Sequence, residues 1–183
     1  MTTQVLVLNG PNLGRLGSRE PEVYGSASFE DLAEACRTTG RTLGLHVDIR
    51  QTDDEAEMIG WVHEAIDARM PVVLNPAAFT HYSYALRDAI AMRTAPLIEV
   101  HLSNPAARES FRHTSVVAGV ANGTVAGFGL MSYQLALQAV AKLAADAEAQ
   151  EQRRAGTAAP AGGERQTASG AGATGSSAPG TPS

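Results

Sequence analysis

The chain has 183 residues, 44% of them hydrophobic, with 14 basic and 19 acidic side chains giving a net charge of −5. That is enough for one core of ordinary domain size. The two signs of charge are interspersed, so no basic stripe suits nucleic acid, no polybasic run suits an anionic membrane, and a small molecule is the expected partner.

The first apolar run, Val5-Leu6-Val7-Leu8, reads as a strand buried on both faces. A long loop follows from Asn9 to about Ala27, carrying Arg15, Arg19 and Tyr24 among glycines and a proline. Loops of that length are lids, binding loops or disordered connectors. Ser28 and Asp31 have capping-box spacing, and Phe29, Leu32, Ala33 and Cys36 follow it at helical intervals. Cys36 is the only cysteine, which excludes an internal disulfide, and its place on that apolar stripe marks it as a core residue.

Leu45 to Arg50 forms a more alternating strand, after which Thr52 and Glu55 have the spacing to open a helix with Met58, Ile59, Val62 and Ile66 on its buried face. Pro71 to Leu74 and Pro96 to Val100 are two further buried strands, with a helix expected between them over about Tyr82 to Arg93. Asn104-Pro105 reads as a helix start, and Arg108 and Arg112 as neighbours on one helix face. Asn122-Gly123 signals a turn before a last strand around Thr124 to Phe128. Leu130, Tyr133, Leu137, Val140 and Ala144 then form the stripe of a closing helix.

Strands alternating with helices in this order predict a doubly wound α/β sandwich on a parallel sheet, with ligands bound beyond the carboxyl ends of the strands. The expected division is a catalytic domain over 1–150 and a tail over 151–183, whose Ala, Gly, Ser, Thr and Pro bury too little apolar surface to offset the entropy of ordering. No apolar run reaches bilayer length and no signal-type segment follows Met1, so the expected location is the cytoplasm.

Polar residues gather at three strand ends: Asn9-Gly10-Pro11-Asn12, then Asn75-Pro76 with Thr80-His81, then Glu99, His101, Ser103 and Asn104. One such residue is ordinarily a turn or cap, but three strand ends together suggest a site. The first loop lacks G-x-G-x-x-G spacing, and the chain has no Walker-type Gly-Lys-Ser/Thr. His46, His63, His81, His101 and His113 are scattered without metal-ligand spacing, so neither metal nor cofactor is expected, and His46 and His63 are expected at or near the surface.

The segment Leu8-Asn9-Gly10-Pro11-Asn12-Leu13-Gly14-Arg15-Leu16-Gly17, with Arg19-Glu20-Pro21 and Tyr24-Gly25, resembles the opening of the type II 3-dehydroquinate dehydratases. Further matches are Leu74-Asn75-Pro76, Thr80-His81, Ala85-Leu86-Arg87-Asp88-Ala89, Ile98-Glu99-Val100-His101-Leu102-Ser103-Asn104, and Arg108-Glu109 with Phe111-Arg112-His113, colinear over roughly residues 4 to 145. The resemblance implies a flavodoxin-like three-layer fold and the dehydration of 3-dehydroquinate to 3-dehydroshikimate in the shikimate pathway. It also implies a homododecamer built from trimers. It assigns Tyr24 as the base, Arg19 as its activator, His101 as the acid and Asn12 as holder of a water that steadies the enolate. Asn75, His81, Arg112, and Ser103 with the backbone of Leu102 would bind substrate, while Asp88 would reach a neighbouring subunit's site.

The chemistry explains the residue types. Removing a proton alpha to a ketone and a hydroxyl beta to it needs a base, a partner for the enolate and an acid for the leaving oxygen. Holding a tyrosine as phenolate near pH 7 costs about 4 kcal/mol, and a guanidinium about 4 Å away returns about 4 kcal/mol at an effective dielectric near 20. Arg19 lies close enough to Tyr24 in the chain to supply that charge. Glu99 and His101 alternate on one strand and face the same side, so the carboxylate is placed to favour the protonated imidazole.

Departures from the family pattern are Thr52-Asp53 for Ser-Asn, Tyr82 for a small hydroxyl residue, and Ser132 for glycine. They bear on packing, subunit contacts or substrate range more than on reaction type. Two rival readings remain at this level: an aminodehydroquinate dehydratase of a secondary-metabolite pathway, and a non-catalytic paralogue serving as a binding or assembly subunit.

Overall fold

A computed structural model describes residues 2–17 and 27–157. The described strands are β1 (Thr3–Asn9), β2 (Leu45–Gln51), β3 (Val72–Asn75), β4 (Leu97–His101) and β5 (Gly123–Ala126). They form a parallel sheet in the order β2-β1-β3-β4-β5, the flavodoxin-like arrangement that the family resemblance implied. The strand order reverses between β1 and β3, where Asn9 and Asn75 are register partners at the carboxyl edge. A ligand crevice is expected at that point.

The four helices among the described residues are α1 (Phe29–Thr42), α2 (Glu55–Asp67), α3 (Tyr84–Ala91) and α4 (Met131–Thr157). Alternate β1 side chains point to opposite faces. Val5 and Val7 pack with Leu32 and Cys36 of α1 and Tyr133, Leu137 and Val140 of α4. Leu6 and Leu8 pack with Met58 and Val62 of α2 and Leu86 and Ile90 of α3. Two helices on each face give the three layers read from the sequence. Cys36 is fully buried, and burial pushes its thiol up to about 12, so it serves as a small core residue.

The helix ends have local causes. Ser28 and Asp31 form the expected reciprocal box: Asp31 N–H donates to Ser28 Oγ at 3.1 Å and Ser28 N–H to Asp31 Oδ2 at 2.8 Å. Beyond α1, Gly44 takes the left-handed backbone (φ 71) that commonly closes a helix. The α2 cap differs from expectation. Asp54, not Thr52, accepts the N–H of Ala56 at 2.8 Å, because Thr52, immediately after β2, is still tied to β1 through its N–H bond to Asn9 O. The helix expected over Tyr82 to Arg93 is shorter at both ends, since Ser83 caps it by accepting from Leu86 N–H.

After β4 the expected helix is replaced by two separate 3₁₀ turns, Pro105–Ala107 and Ser110–His113. The extended backbone of Arg108 (φ −107, ψ −166) divides them, so Arg108 and Arg112 share no helix face. Both instead approach Glu109, whose Oε2 lies 3.4 Å from Arg108 Nε and 2.8 Å from Arg112 Nε. Asn122, just before β5, ties that strand's start to β4 with its side chain, accepting the Leu97 N–H at 2.9 Å. Helix α4 passes through residue 150 to Thr157; the rest of the sequence-predicted tail lies outside the described residues. No helix among the described residues is long and apolar enough to cross a membrane.

Candidate active site

The carboxyl ends of β1, β3 and β4 open into one cleft of about 110 Å³. Asn12, Asn75, His81, His101, Ser103 and Arg112 supply its polar lining, with Leu102 and Leu16 among its apolar walls. Gly10 brings the first two strand ends together, since a Cβ there would lie 2.6 Å from Pro76 O.

His101 stands at the end of β4 with its side chain 12% exposed, while Glu99 behind it is fully buried. The His101 Nε2–Glu99 Oε1 distance is 2.8 Å. A carboxylate can only accept, so Nε2 carries the hydrogen and Nδ1 is left for exchange with the cleft. Burial by itself would raise the Glu99 carboxyl. The hydrogen bond and charge of His101, with hydroxyl donors Thr80 and Ser115, outweigh it and hold the group below the usual carboxylate range. Thr80 Oγ1 donates to Glu99 Oε1 at 2.5 Å, and Ser115 Oγ lies 3.1 Å from both carboxylate oxygens. Ser115 Oγ also accepts from the N–H groups of Val117 and Ala118, which directs its own proton away from that turn.

Around this pair the remaining residues fall into place. His81 Nδ1 lies 2.8 Å from Thr114 O, so that nitrogen donates and Nε2 is unengaged by that bond. Its ring meets Phe111 edge-on at 5.6 Å. The Arg112 guanidinium sits 4.7 Å over the Phe111 ring and pairs with Glu109, whose carboxyl is lowered to about 2, chiefly by the Arg112 hydrogen bond. Asn12 adopts a left-handed backbone (φ 69) and donates its N–H to Asp53 Oδ1 at 2.8 Å. Among the described residues the cleft lining holds imidazoles and a guanidinium but no carboxylate, an arrangement suited to a small anionic ligand. Among them, too, no three His, Cys, Asp or Glu side chains cluster as metal ligands.

Of the sequence-predicted site residues, Asn12, Asn75, His81, His101, Leu102, Ser103 and Arg112 share the cleft, with Glu99 directly behind it. Asp88 is elsewhere: it is exposed on α3 beside Arg87, at 3.2 Å. Tyr24 and Arg19 lie outside the described residues, although Leu16, just before that segment, lines the cleft. The sequence reading missed the supporting roles of Ser115, Asp53 and Tyr133. Their only signal was polar atoms at buried or loop positions.

The departures have local accounts. Thr52 donates to Glu57 Oε2 at 2.5 Å, and Ser132 Oγ accepts the Phe128 N–H at 3.1 Å. Asp53 braces Asn12, and Tyr82 is 55% exposed. His46 and His63 are exposed, as expected.

A parallel sheet carrying a carboxylate-backed imidazole, and at its carboxyl edge a cleft lined by imidazoles and a guanidinium, defines a doubly wound α/β protein built to act on a small anion. Residues 3–141 match the family described as Dehydroquinase class II, and the chain belongs to that family. The 3-dehydroquinate dehydratase of Salinispora tropica is 62% identical over 138 residues, which is 75% of this chain and 96% of that protein. The 3-dehydroquinate dehydratase 2 of Pseudomonas aeruginosa is 50% identical over 75% of this chain and 93% of its own length. The crystal structure of the type II dehydroquinase from Propionibacterium acnes matches with a TM-score of 0.76 and 57% identity, covering 78% of this chain and 98% of that one.

Proposed function

We propose that this chain is a 3-dehydroquinate dehydratase, a carbon–oxygen lyase that forms 3-dehydroshikimate by way of an enolate. The observation that carries this reading is the buried Glu99–His101 pair at the floor of a cleft lined by His81, Arg112, Asn75 and Ser103. Family membership and relatives that bear this name support it further.

In this reading Tyr24, ionised beside Arg19, takes the proton alpha to the ketone. Asn12 holds the water that steadies the enolate oxygen. His101 Nδ1 then gives its proton to the departing hydroxyl, while Glu99 stabilises the charged ring. Arg112, His81 and Ser103 bind the carboxylate and hydroxyl groups of the substrate. The described lining offers no phenol of its own, which supports assigning the base to Tyr24. Adding 3-dehydroquinate to chelator-treated protein should produce the ultraviolet absorbance of a conjugated enone. Folded protein that yields none at any pH would overturn the assignment. No observation favours the aminodehydroquinate dehydratase or the non-catalytic paralogue.

The working form in this reading is a cytoplasmic dodecamer built from trimers, in which Asp88 reaches a neighbouring site. Tyr84, Asp88 and Met92 follow one another at four-residue intervals along α3 and its cap, and both apolar members are more than half exposed. Such a stripe suits burial against another copy. Sedimentation of the purified protein should give a dodecamer that Asp88→Ala leaves assembled but impaired in turnover; a monomer in solution would refute it.

A further inference from the structure

Beneath the cleft runs a chain of polar side chains joining residues far apart in sequence. Tyr133, on the inward stripe of α4, is 0% exposed. Its hydroxyl donates to Asn9 Oδ1 at 2.6 Å and accepts from Asn75 Nδ2 at 2.8 Å. Asn9 Nδ2 in turn donates to Arg50 O at 3.0 Å and Val7 O at 3.4 Å. At the far end, Asn75 Oδ1 accepts the Ala77 N–H at 3.1 Å.

The two ends fix the direction of every link. Backbone carbonyls only accept, so Asn9 turns its amino group toward Arg50 and its oxygen toward Tyr133. That oxygen takes the phenol's single proton, which leaves the phenol oxygen only an acceptor's role toward Asn75. Burial pushes the Tyr133 hydroxyl well above the ordinary tyrosine range, so it stays a donor. The Asn75 carboxamide is therefore set with its amino group toward Tyr133 and its oxygen toward Ala77. An amide carries two N–H donors and two lone pairs. One of each is used within the protein, and Asn75 lines the cleft with one of each remaining.

We propose that Tyr133 is a positioning residue for the dehydratase: its hydroxyl fixes which end of the Asn75 carboxamide meets the substrate, so that one N–H is presented to a hydroxyl or carboxylate oxygen of the ligand. The inference rests on the proposed function and on Asn75 binding substrate. Tyr133 itself is sealed in the core and acts only through Asn75.

A double-mutant cycle of Tyr133→Phe and Asn75→Ala tests it. Tyr133→Phe is expected to raise KM by about tenfold, the factor that corresponds to about 1.4 kcal/mol, with kcat within about threefold of the parent. In the Asn75→Ala background the same change should add no further loss. An unchanged KM in Tyr133→Phe, or losses that multiply in the double variant, would overturn the proposal. A lower Tm accompanies either outcome, because Asn9 and Asn75 both lose a buried partner. If Tyr133→Phe does not fold, the parent protein decides by NMR. The Asn75 side-chain amide, identified by its loss in Asn75→Ala, should show the proton donated to Tyr133 protected from solvent exchange, and a pair of protons that both exchange rapidly would refute the inference. A parent protein inactive on 3-dehydroquinate would count against the proposed function instead, leaving the NMR result to judge Tyr133.

Discussion

Replacing Glu99 by glutamine removes a charge while keeping size and hydrogen-bonding capacity, so it isolates what the buried carboxylate contributes. In the native protein its oxygens receive Thr80, Ser115 and His101, and His101 is the one of these partners that becomes a cation when it takes up a proton. A hydrogen bond to a charged group contributes about 1.5–3 kcal/mol. Loss of its ionic part when the imidazole must carry a proton should slow kcat by about tenfold to a hundredfold. KM should stay within about threefold, because Glu99 lies behind His101 and does not line the cleft. Stability should respond to pH as well. The folded Glu99 carboxyl is held below its ordinary value, so its contribution is present above that value and is lost as pH falls through the lower, folded one. Acid unfolding followed by circular dichroism should therefore be less steep in Glu99→Gln. A variant with parental kcat and an unchanged acid unfolding profile would refute the reasoning.

Other perturbations reach the same machinery from different sides. Tyr24→Phe removes one hydroxyl and should abolish enone formation while sedimentation and circular dichroism stay parental; near-normal kcat would rule out Tyr24 as the base. Ser115→Ala deprives Glu99 of one of its two hydroxyl donors. The acid limb of the kcat–pH profile should then move to higher pH, with kcat near pH 7 reduced less than about fivefold and Ser115→Thr restoring it. An acid limb that stays in place would show that Ser115 merely holds its turn.

Much of the fold was legible because its causes are local. Val5 to Leu8 announce a strand buried on both faces, and Leu6 and Leu8 do pack opposite Val5 and Val7. The capping box of Ser28 and Asp31 involves residues three apart and formed as read. The readings that changed are those where a nearby residue competes for the same role. Asp54 displaced Thr52 as a cap because Thr52 remains tied to Asn9, and the extended backbone of Arg108 stopped a helix that the arginine spacing suggested. Patterns of three and four residues describe a helix surface only where the backbone stays helical throughout.

The site divides the same way. Strand ends could be read, so His101, Asn75 and Asn12 were found, and Glu99 with His101 followed from alternation along β4. Their supports could not, because each is contributed by a distant element. Thr80 and Ser115 reach Glu99 from 19 and 16 residues away, and Tyr133 reaches Asn75 and Asn9 from 58 and 124. Helical periodicity assigns Tyr133 to the core stripe and is right about its ring, yet periodicity carries no information about where its hydroxyl points. A buried hydroxyl without a partner costs about 1–3 kcal/mol, so a tyrosine on a fully buried stripe demands acceptors and donors that the sheet must supply. Here Asn9 and Asn75, register partners at the reversal of strand order, supply both. The topology that opens the cleft thus also creates the polar seam beneath it, and one helix closing over that seam links the core to the orientation of a side chain in the site.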